Sequence, residues 1–412
     1  MAEVTNYIDR LVAELCPEGV EYRPLSDVVE KNYGGGTPSK AKEEYWGGDI
    51  PWASVGDLSN DLMEIFDTRS KITPAGVSGS STNVVPAGAV IMAIKIAPGK
   101  MKIAGVDLAI NQDIRGLVLN DLMNARFLTY YFRTLRFAGH GTIVKSITNK
   151  RLMDTEVPVP PLEIQEAIVE ILDKFTNLEA ELEAELEART LQYEYYRDSL
   201  FEALDCPRAT LGELGKFYGG LKGKTKNDFG SSGARYISYK NVYENISADF
   251  TWPDFVQVKE GENQLSLMKG DILLTGSSEN MEEAGLSSVV TKEPEEEAYL
   301  NSFSICYRLN DPSILNPEFS KYLFRSRLAR KQIIRTAQGV TRFNVSKKKL
   351  ANVSVPIPTL EEQQRIVDIL DRFDALTSSL SEGLPAELAA RRSQYEYYRD
   401  QLLTFPRKGE NQ

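Results

Sequence analysis

An internal repeat limits the possible folds of this chain more than any other feature of its sequence. VPVPPLEIQEAIVEILDKF at 157–175 matches VPIPTLEEQQRIVDILDRF at 355–373, and QYEYYRDSL at 192–200 matches QYEYYRDQL at 394–402. The first pair is shifted by 198 residues and the second by 202, so the second copy carries four extra residues. Repetition on this scale indicates a chain made of two related halves.

Both repeated segments have the apolar spacing of long helices. Apolar residues recur at steps of three and four through 162–205 and again through 360–403, which predicts one apolar stripe on each helix. Four extra residues add about one helical turn, so the stripe keeps its direction. We expect the first helix to be unbroken, whereas Gly383 and Pro385 predict a kink or a restart in the second.

The repeat extends beyond the helices. FLTYYFRTLR at 127–136 resembles FSKYLFRSRL at 319–328, and SITNKRL at 146–152 resembles NVSKKKL at 344–350. The N-terminal YIDRLVAELCP resembles YRDSLFEALDCP at the end of the first helix, so we expect the two chain ends to lie close together. The predicted boundaries are an N-terminal helix at 1–17 near the C-terminal helix, a globular domain at 18–156, a central helix at 157–206, a second globular domain at 207–354, and a distal helix with a tail at 355–412.

The two globular segments are predicted to be mixed α/β domains built on one scaffold. Their strand-like runs are short and bounded by Gly, Pro, Asn or Asp, as in AVIMAIKIA at 89–97 and GDILLTGS at 270–277. The ends of the two segments align, whereas their centres diverge. The predicted fold class is α+β, with two domains related by pseudo-two-fold symmetry and separated by two long antiparallel coiled-coil helices.

The net charge of −11 at first argues against a nucleic-acid partner. Residues 160–205 and 361–405 carry charges of −10 and −4, which leaves +3 for the rest of the chain. The negative charge therefore lies in the helical segments. The remainder of the chain is mildly basic, which permits DNA binding by the globular segments.

Other features of the sequence exclude several classes of protein. The chain has no run of eighteen apolar residues, which argues against a membrane span, and its amphipathic, acidic N-terminal segment is not typical of a secretory signal. Cys16, Cys206 and Cys306 are widely separated and odd in number, which fits a cytoplasmic protein without disulfide bonds.

Catalytic and metal-binding motifs are not found in the sequence. GGLKGKT resembles a phosphate-binding loop, but Tyr218 stands where that pattern needs its first glycine. His140 is the only histidine, which excludes a two-histidine zinc site and leaves no nucleophile–base pair. We therefore expect no catalytic residues and no metal site in this chain.

Two variable segments, each followed by VPxPxLxxQxxIVxILDxF and a long helix ending in QYEYYRD, resemble the DNA-specificity subunits of type I restriction–modification systems. GDILLTGSSENMEEAGLSSVV at 270–290, FAGHGTIVKSITNKRL at 137–152 and VTRFNVSKKKL at 340–350 are also typical of that family. The resemblance covers essentially the whole chain.

The resemblance implies a non-catalytic subunit for phage defence. Each variable domain would recognise one half of a split, asymmetric site in double-stranded DNA, and the helices would set the gap. The helices would also bind two modification subunits, which carry S-adenosylmethionine and methylate adenine. Restriction subunits, which use ATP and Mg²⁺, would join them to cleave unmethylated DNA. No cofactor is expected in this chain itself.

Candidate DNA contacts lie in loops rich in Gly, Lys, Ser, Thr and aromatic residues, where glycine could let backbone amides approach phosphates. In the first domain they are Thr37, Ser39, Lys40, Trp52, Lys95, Lys100 and Lys145. In the second domain they are Lys222, Lys224, Lys226, Lys240, Ser277, Arg342 and Lys347. The aromatic helix ends are assigned to packing or partner binding through Tyr193, Tyr195, Tyr196, Tyr395, Tyr397 and Tyr398.

Two other functions stay open on the sequence alone. One is a specificity factor for a phage-defence methyltransferase that has no nuclease. The other is a protein-interaction scaffold built on an antiparallel coiled coil.

Overall fold

The computed structural model describes residues 2–60, 62–137, 146–259, 261–377 and 383–409. The chain divides into two compact units, Met1–Glu181 with Leu388–Gln412, and Leu182–Glu387. One helix of 41 residues, Leu162–Glu202, contributes its first part to the first unit and its second part to the second. The helix is unbroken, as its apolar spacing predicts, and at 1.5 Å per residue it is about 60 Å long.

The elements of the first unit are, in chain order, α1 (Ala2–Leu15), β1 (Tyr22–Pro24), β2 (Val29–Gly34), β3 (Trp46–Ala53), β4 (Glu64–Ile65), β5 (Lys71–Ile72), α2 (Pro74–Ser78), β6 (Asn83–Val85), β7 (Val90–Ala93), β8 (Met101–Ala104), β9 (Leu108–Ile110), β10 (Ile114–Leu119), α3 (Ala125–Thr134), α4 (Asn149–Met153), β11 (Glu156–Pro158) and the first part of α5 (Leu162–Glu202).

The second unit continues with β12 (Arg208–Thr210), α6 (Leu211–Leu214), β13 (Gly215–Gly219), β14 (Phe229–Gly230), β15 (Ala234–Ile237), α7 (Tyr239–Glu244), β16 (Phe255–Val256), β17 (Ile272–Thr275), β18 (Ser277–Ser278), β19 (Ser287–Val289), β20 (Ala298–Leu300), β21 (Ser304–Leu309), α8 (Pro317–Leu323), α9 (Arg327–Ile334), β22 (Ala337–Gln338), β23 (Phe343–Val345), α10 (Lys347–Leu350), β24 (Ser354–Pro356), α11 (Leu360–Thr377) and α12 (Gly383–Leu402), whose last part belongs to the first unit.

The second repeated helix is divided into α11 and α12, as Gly383 and Pro385 predict. Gly383 has a φ of +80°, which glycine adopts without strain. Pro385 lies in the first turn of α12, where no intrahelical hydrogen bond is lost.

The same strand order recurs in the two units. In the first unit β2, β10, β7 and β8 are neighbours, and in the second unit β13, β21, β17 and β19 follow the same order. Each unit also has a parallel pair, β3 with β9 and β15 with β20. A short ribbon precedes the helical segment in each, β1 with β11 and β12 with β24. Two copies of one scaffold thus carry the diverged loops, as the sequence indicates.

A pair of helices belongs to each unit. In the first, Phe175 of α5 stacks on Tyr398 of α12 with ring centroids 5.7 Å apart, and Glu179 pairs with Arg392 at 2.6 Å. These contacts advance along α5 and recede along α12, so the two segments are antiparallel. In the second, Tyr196 of α5 stacks on Phe373 of α11 at 5.5 Å.

The chain ends meet in the first unit. The Val20 amide donates to the Pro406 carbonyl at 2.8 Å, and the Lys408 amide donates to the Val20 carbonyl at 3.0 Å. Ile8 of α1 is buried in the same core as Leu402. The N-terminal and C-terminal segments therefore pack against each other.

A buried glutamine joins each globular domain to its helix. Gln165, in the first turn of α5, donates to the Leu122 and Pro160 carbonyls at 2.8 and 2.7 Å and accepts from the Asn124 amide at 2.8 Å. Gln363, in the first turn of α11, makes the same three bonds to Ile314, Pro358 and Asn316 at 2.9, 3.0 and 2.7 Å. Both side chains are fully buried.

A tyrosine makes a second link in each unit. The Tyr130 hydroxyl of α3 donates to Asp173 of α5 at 2.6 Å, and the Tyr322 hydroxyl of α8 donates to Asp371 of α11 at 2.5 Å. Burial is the largest cause that raises the pKa of both phenols, and the neighbouring carboxylate adds to it. Both phenols therefore stay protonated near neutral pH and donate to the carboxylate.

We predict that Gln165→Leu and Gln363→Leu each lower the free energy of unfolding by about 3 kcal/mol or more. Each substitution leaves three backbone groups without their hydrogen-bond partner, at a cost of about 1–3 kcal/mol for each group. Urea unfolding followed by circular dichroism measures this loss. Gln364→Leu is the matched control, since Gln364 is exposed and bonds only to side chains. A loss of the same size in the control would contradict the assignment.

Candidate nucleic-acid interface

A groove of about 530 Å³ lies on the second unit. It brings together three of the predicted DNA contacts, Lys240, Ser277 and Arg342. The other lining residues are Tyr239, Tyr243, Glu244, Ser278, Glu279, Glu283 and Phe303. Two segments supply eight of the ten residues: α7, and the loop that begins at β18.

The groove offers donors, acceptors and aromatic surface at once. Arg342 lies 3.9 Å from Glu279, and Lys240 lies 3.6 Å from Glu244, so both cations have acidic neighbours. The rings of Tyr239 and Tyr243 are stacked with centroids 6.4 Å apart, and the Tyr239 hydroxyl donates to the Ser277 carbonyl at 2.7 Å. A lining of mixed sign suits base edges, which present both donors and acceptors, better than phosphates, which only accept.

A polar cluster on the first unit contains two predicted contacts. The Lys95 ammonium pairs with Asp113 at 2.9 Å. The Gln112 amide donates to Asp113 at 3.4 Å, and the Thr37 hydroxyl donates to Gln112. Thr37, Gln112 and Lys95 are exposed, so the cluster presents an ordered set of polar groups at the surface.

The cluster and the groove occupy matching places in the two scaffolds. The Ile147 amide donates to the Ile94 carbonyl at 2.8 Å, and the Val345 amide donates to the Gly276 carbonyl at 2.9 Å, so Lys95 and Ser277 are equivalent.

Asn111 and Asn301 provide a second reference point in that comparison. Their side chains accept from the amides of Asp113 and Phe303, both at 3.0 Å, so these two residues are also equivalent. One domain therefore presents a lysine and a carboxylate where the other presents a hydroxyl and an exposed ring.

Two of the candidate DNA contacts, Trp52 and Lys224, have buried side chains rather than exposed ones. Trp52 is only 9% exposed, and its ring nitrogen donates to the Gly36 carbonyl at 3.0 Å. The Lys224 side chain is 5% exposed and donates to the Gln257 carbonyl at 2.6 Å while pairing with Glu262 at 2.5 Å. Both residues use their donors inside the domain, so they shape the loops rather than the surface.

Two loop glycines have a packing role in the structure. A Cβ atom on Gly35 would lie 1.8 Å from the Asn111 carbonyl oxygen, and one on Gly220 would lie 1.9 Å from that of Asn301. These glycines are required because the loop crosses a neighbouring strand end closely. An approach of phosphates to loop amides stays a prediction.

The other candidates remain predictions. They are exposed but do not line the groove: Ser39, Lys40, Lys100, Lys222, Lys226 and Lys347. The Lys347 ammonium lies beside Gly219, next to the segment that carries Lys222. Lys145 lies outside the described residues, as does His140.

Among the groove residues that the sequence reasoning missed are three aromatic ones, Tyr239, Tyr243 and Phe303. Aromatic residues beside Lys240 in SYKNVYEN were the one available signal.

The six helix-end tyrosines separate into two classes. Tyr193, Tyr196, Tyr395 and Tyr398 pack within a helix pair or against a domain, and burial raises the pKa of Tyr193 and Tyr395. Tyr195 and Tyr397 are 70% and 59% exposed and hold the same position in the two QYEYY motifs. This second pair presents the most ring surface of the six, followed by Tyr196 at 43% exposed.

A family model for the type I restriction modification DNA specificity domain matches residues 17–188 and again residues 208–390. The chain belongs to this family. Members of this specificity family are non-catalytic components of type I restriction–modification complexes, which also contain other subunits. The resemblance indicated by the repeated helix motif is thereby confirmed.

Individual relatives agree with the family model. The specificity subunit of the Escherichia coli type I enzymes EcoR124I and EcoR124II is 35% identical over 302 residues, covering 68% of this chain and 71% of that protein. A putative type I specificity subunit of Haemophilus influenzae is 28% identical, covering 96% and 99% of the two chains.

A solved structure shows the same fold. It comes from work on complex assembly and conformational transition of the type I restriction–modification system, and it aligns with a TM-score of 0.65 at 16% identity over 93% of this chain and 97% of that one. This confirms the predicted mixture of helices and strands in two domains joined by a long helix. Within the described ranges, this specificity protein has no helix that is long and apolar enough to cross a membrane.

We predict that Lys224→Met lowers the free energy of unfolding by about 1 kcal/mol, because the Gln257 carbonyl loses its donor. Lys226→Met is the matched control, since this exposed neighbour should change stability by less than about 0.5 kcal/mol. Urea unfolding of both variants checks the difference. If the two variants were equally stable, Lys224 would again be a candidate surface contact.

Proposed function

We propose that this chain is the DNA-specificity subunit of a type I restriction–modification enzyme, with each domain reading one half of a bipartite, asymmetric site. The observation that carries the proposal is the replacement of Lys95 and Asp113 by Ser277 and Phe303 at equivalent places of one scaffold. Two copies of one frame that present different groups should read different bases.

In this proposal the second domain reads base edges through its groove. Arg342 and Lys240 would donate to guanine or to phosphate, and the groove carboxylates would accept from a cytosine amino group. The exposed lysines outside the groove, such as Lys347, would bind the phosphates of the DNA backbone and fix the position of the domain along the duplex.

The long helices would act as a spacer and a docking surface. One turn of B-DNA is about 34 Å, so a helix of about 60 Å is long enough to span unread base pairs between two half-sites. The negative charge of the helical segments disfavours contact with phosphate and favours protein partners.

The partners and cofactors follow from the same proposal. Two modification subunits would dock on the helices, carry S-adenosylmethionine and methylate adenine. Restriction subunits would use ATP and Mg²⁺ to cleave DNA that lacks the methyl group. The assembled enzyme would act in the cytoplasm as a defence against phage, and this chain would bind no cofactor itself.

Arg342→Met should weaken binding of the assembled complex to its preferred duplex about tenfold or more and leave binding to unrelated duplexes nearly unchanged, because a base contact carries about 1–3 kcal/mol of discrimination. Lys347→Met should weaken both equally and reduce the salt slope by about 1, because it removes a phosphate contact. Fluorescence anisotropy over a range of salt concentrations distinguishes them. The same uniform loss in both variants would refute base reading by the groove.

Tyr195→Ala and Tyr397→Ala should each reduce the number of bound modification subunits from two to one, because each exposed ring belongs to one copy of the repeat. Native mass spectrometry counts the subunits directly. Glu194→Ala and Glu396→Ala, at the neighbouring position of each motif, serve as controls that should keep both subunits. Full occupancy in the tyrosine variants would exclude these rings from the docking surface.

A further inference from the structure

Two half-buried arginines of the second unit bind the main chain on both sides of the groove. Arg325 follows α8, and its guanidinium donates to the Ser287 carbonyl at 2.6 Å and to the carbonyls of Val242 and Tyr243 at 3.1 Å, with a longer contact of 3.5 Å to Asn245. It therefore ties the end of α7 to the first residue of β19.

Arg330 of α9 holds the other side. It donates to the Gly285 carbonyl at 2.6 Å, to the Glu282 carbonyl at 2.7 Å and to the Ala284 carbonyl at 2.9 Å. These three carbonyls belong to the loop that carries Ser277, Glu279 and Glu283 into the groove. Arg330 thus fixes the main chain of that loop from behind.

Neither arginine lines the groove, yet each binds one of the two segments that supply eight of its ten residues. Burial lowers the pKa of both guanidinium groups to about 10, so both stay charged near neutral pH. A guanidinium offers five donors in a fixed fork, which can serve several carbonyls at once, whereas an ammonium acts as a point donor.

In the first domain, the residue equivalent to Arg325 has different contacts. In the aligned segments FLTYYFRTLR and FSKYLFRSRL, Arg133 stands where Arg325 stands. Arg133 is exposed and lies over the Tyr130 ring at 5.6 Å. The main-chain contacts of Arg325 are therefore specific to the second domain. They are not a general requirement of the scaffold.

We infer that Arg325 and Arg330 are positioning residues that set the base preference of the second domain. They hold α7 and the loop that begins at β18 at a fixed separation. The inference rests on the proposed function of the groove. Direct contact with DNA is not required of either arginine. A loosened loop would still carry its polar groups, so affinity for DNA in general would persist while discrimination among bases would fall.

The test uses the full-length chain assembled with the modification subunits that it is proposed to bind. Random-sequence duplexes bound by the complex are selected and sequenced, and the base preference at each half-site is compared between variants. Wild type should select two conserved blocks separated by an unselective gap. If wild type selects no such pair of blocks, the proposed function itself is wrong.

Arg325→Met and Arg330→Met should each reduce base preference at least about tenfold in one block, the same block for both, and leave the other block intact. Arg330→Lys should show the same loss, because an ammonium cannot replace the fork. Arg327→Met is the matched control on the same helix, since Arg327 pairs with Glu202 outside the groove, and Arg133→Met is the control in the first domain. Both controls should keep both blocks.

Three results would overturn the inference. They are unchanged preference in the two methionine variants, equal loss of both blocks, and full preference in Arg330→Lys. Thermal melting of each complex is recorded alongside. If Arg325→Met does not fold, the half-buried Arg330 at the loop provides the decisive variant.

Discussion

The attachment of each globular domain to a long helix is the constraint on which the rest of the structure depends. Gln165 and Gln363, buried in the first turn of a helix, each satisfy three backbone groups, and a tyrosine–aspartate hydrogen bond adds a second link about two turns later. A buried amide with three satisfied bonds allows little freedom of angle. The direction of a domain relative to its own helix is therefore fixed within each unit.

A fixed frame allows the loops to vary. The strand order, the short ribbon and the glutamine link recur in both units, whereas the side chains at Lys95 and Ser277, or at Asp113 and Phe303, differ in size and charge. The arginines show the same division, because Arg133 and Arg325 share a position in the scaffold, but Arg325 binds main-chain carbonyls of α7 and β19, whereas Arg133 lies over the Tyr130 ring. Specificity can thus change without a change in the frame.

The sequence predicted the parts of the fold that are governed by periodicity and repetition. Apolar spacing gave the unbroken α5, and Gly383 with Pro385 gave the restart of the second helix, because such signals act locally. The candidate contacts depended on which side chains reach the surface, and loop composition does not determine that. Lys224 stands in a loop of suitable composition and Trp52 in strand β3, but tertiary packing buries both side chains. Phe303 is apolar and exposed, which no pattern in its neighbourhood indicates.

If two dissimilar domains on one duplicated frame direct methylation to a split DNA site, the methylated adenines of the host genome should carry that pattern. Single-molecule sequencing of methylated adenines, in cells with and without this gene, reads the pattern out. We predict an adenine methylation motif that depends on the gene and consists of two different half-sites separated by a gap of constant length. A gene-dependent motif that is contiguous or palindromic, or a methylation pattern that does not depend on the gene, would contradict it.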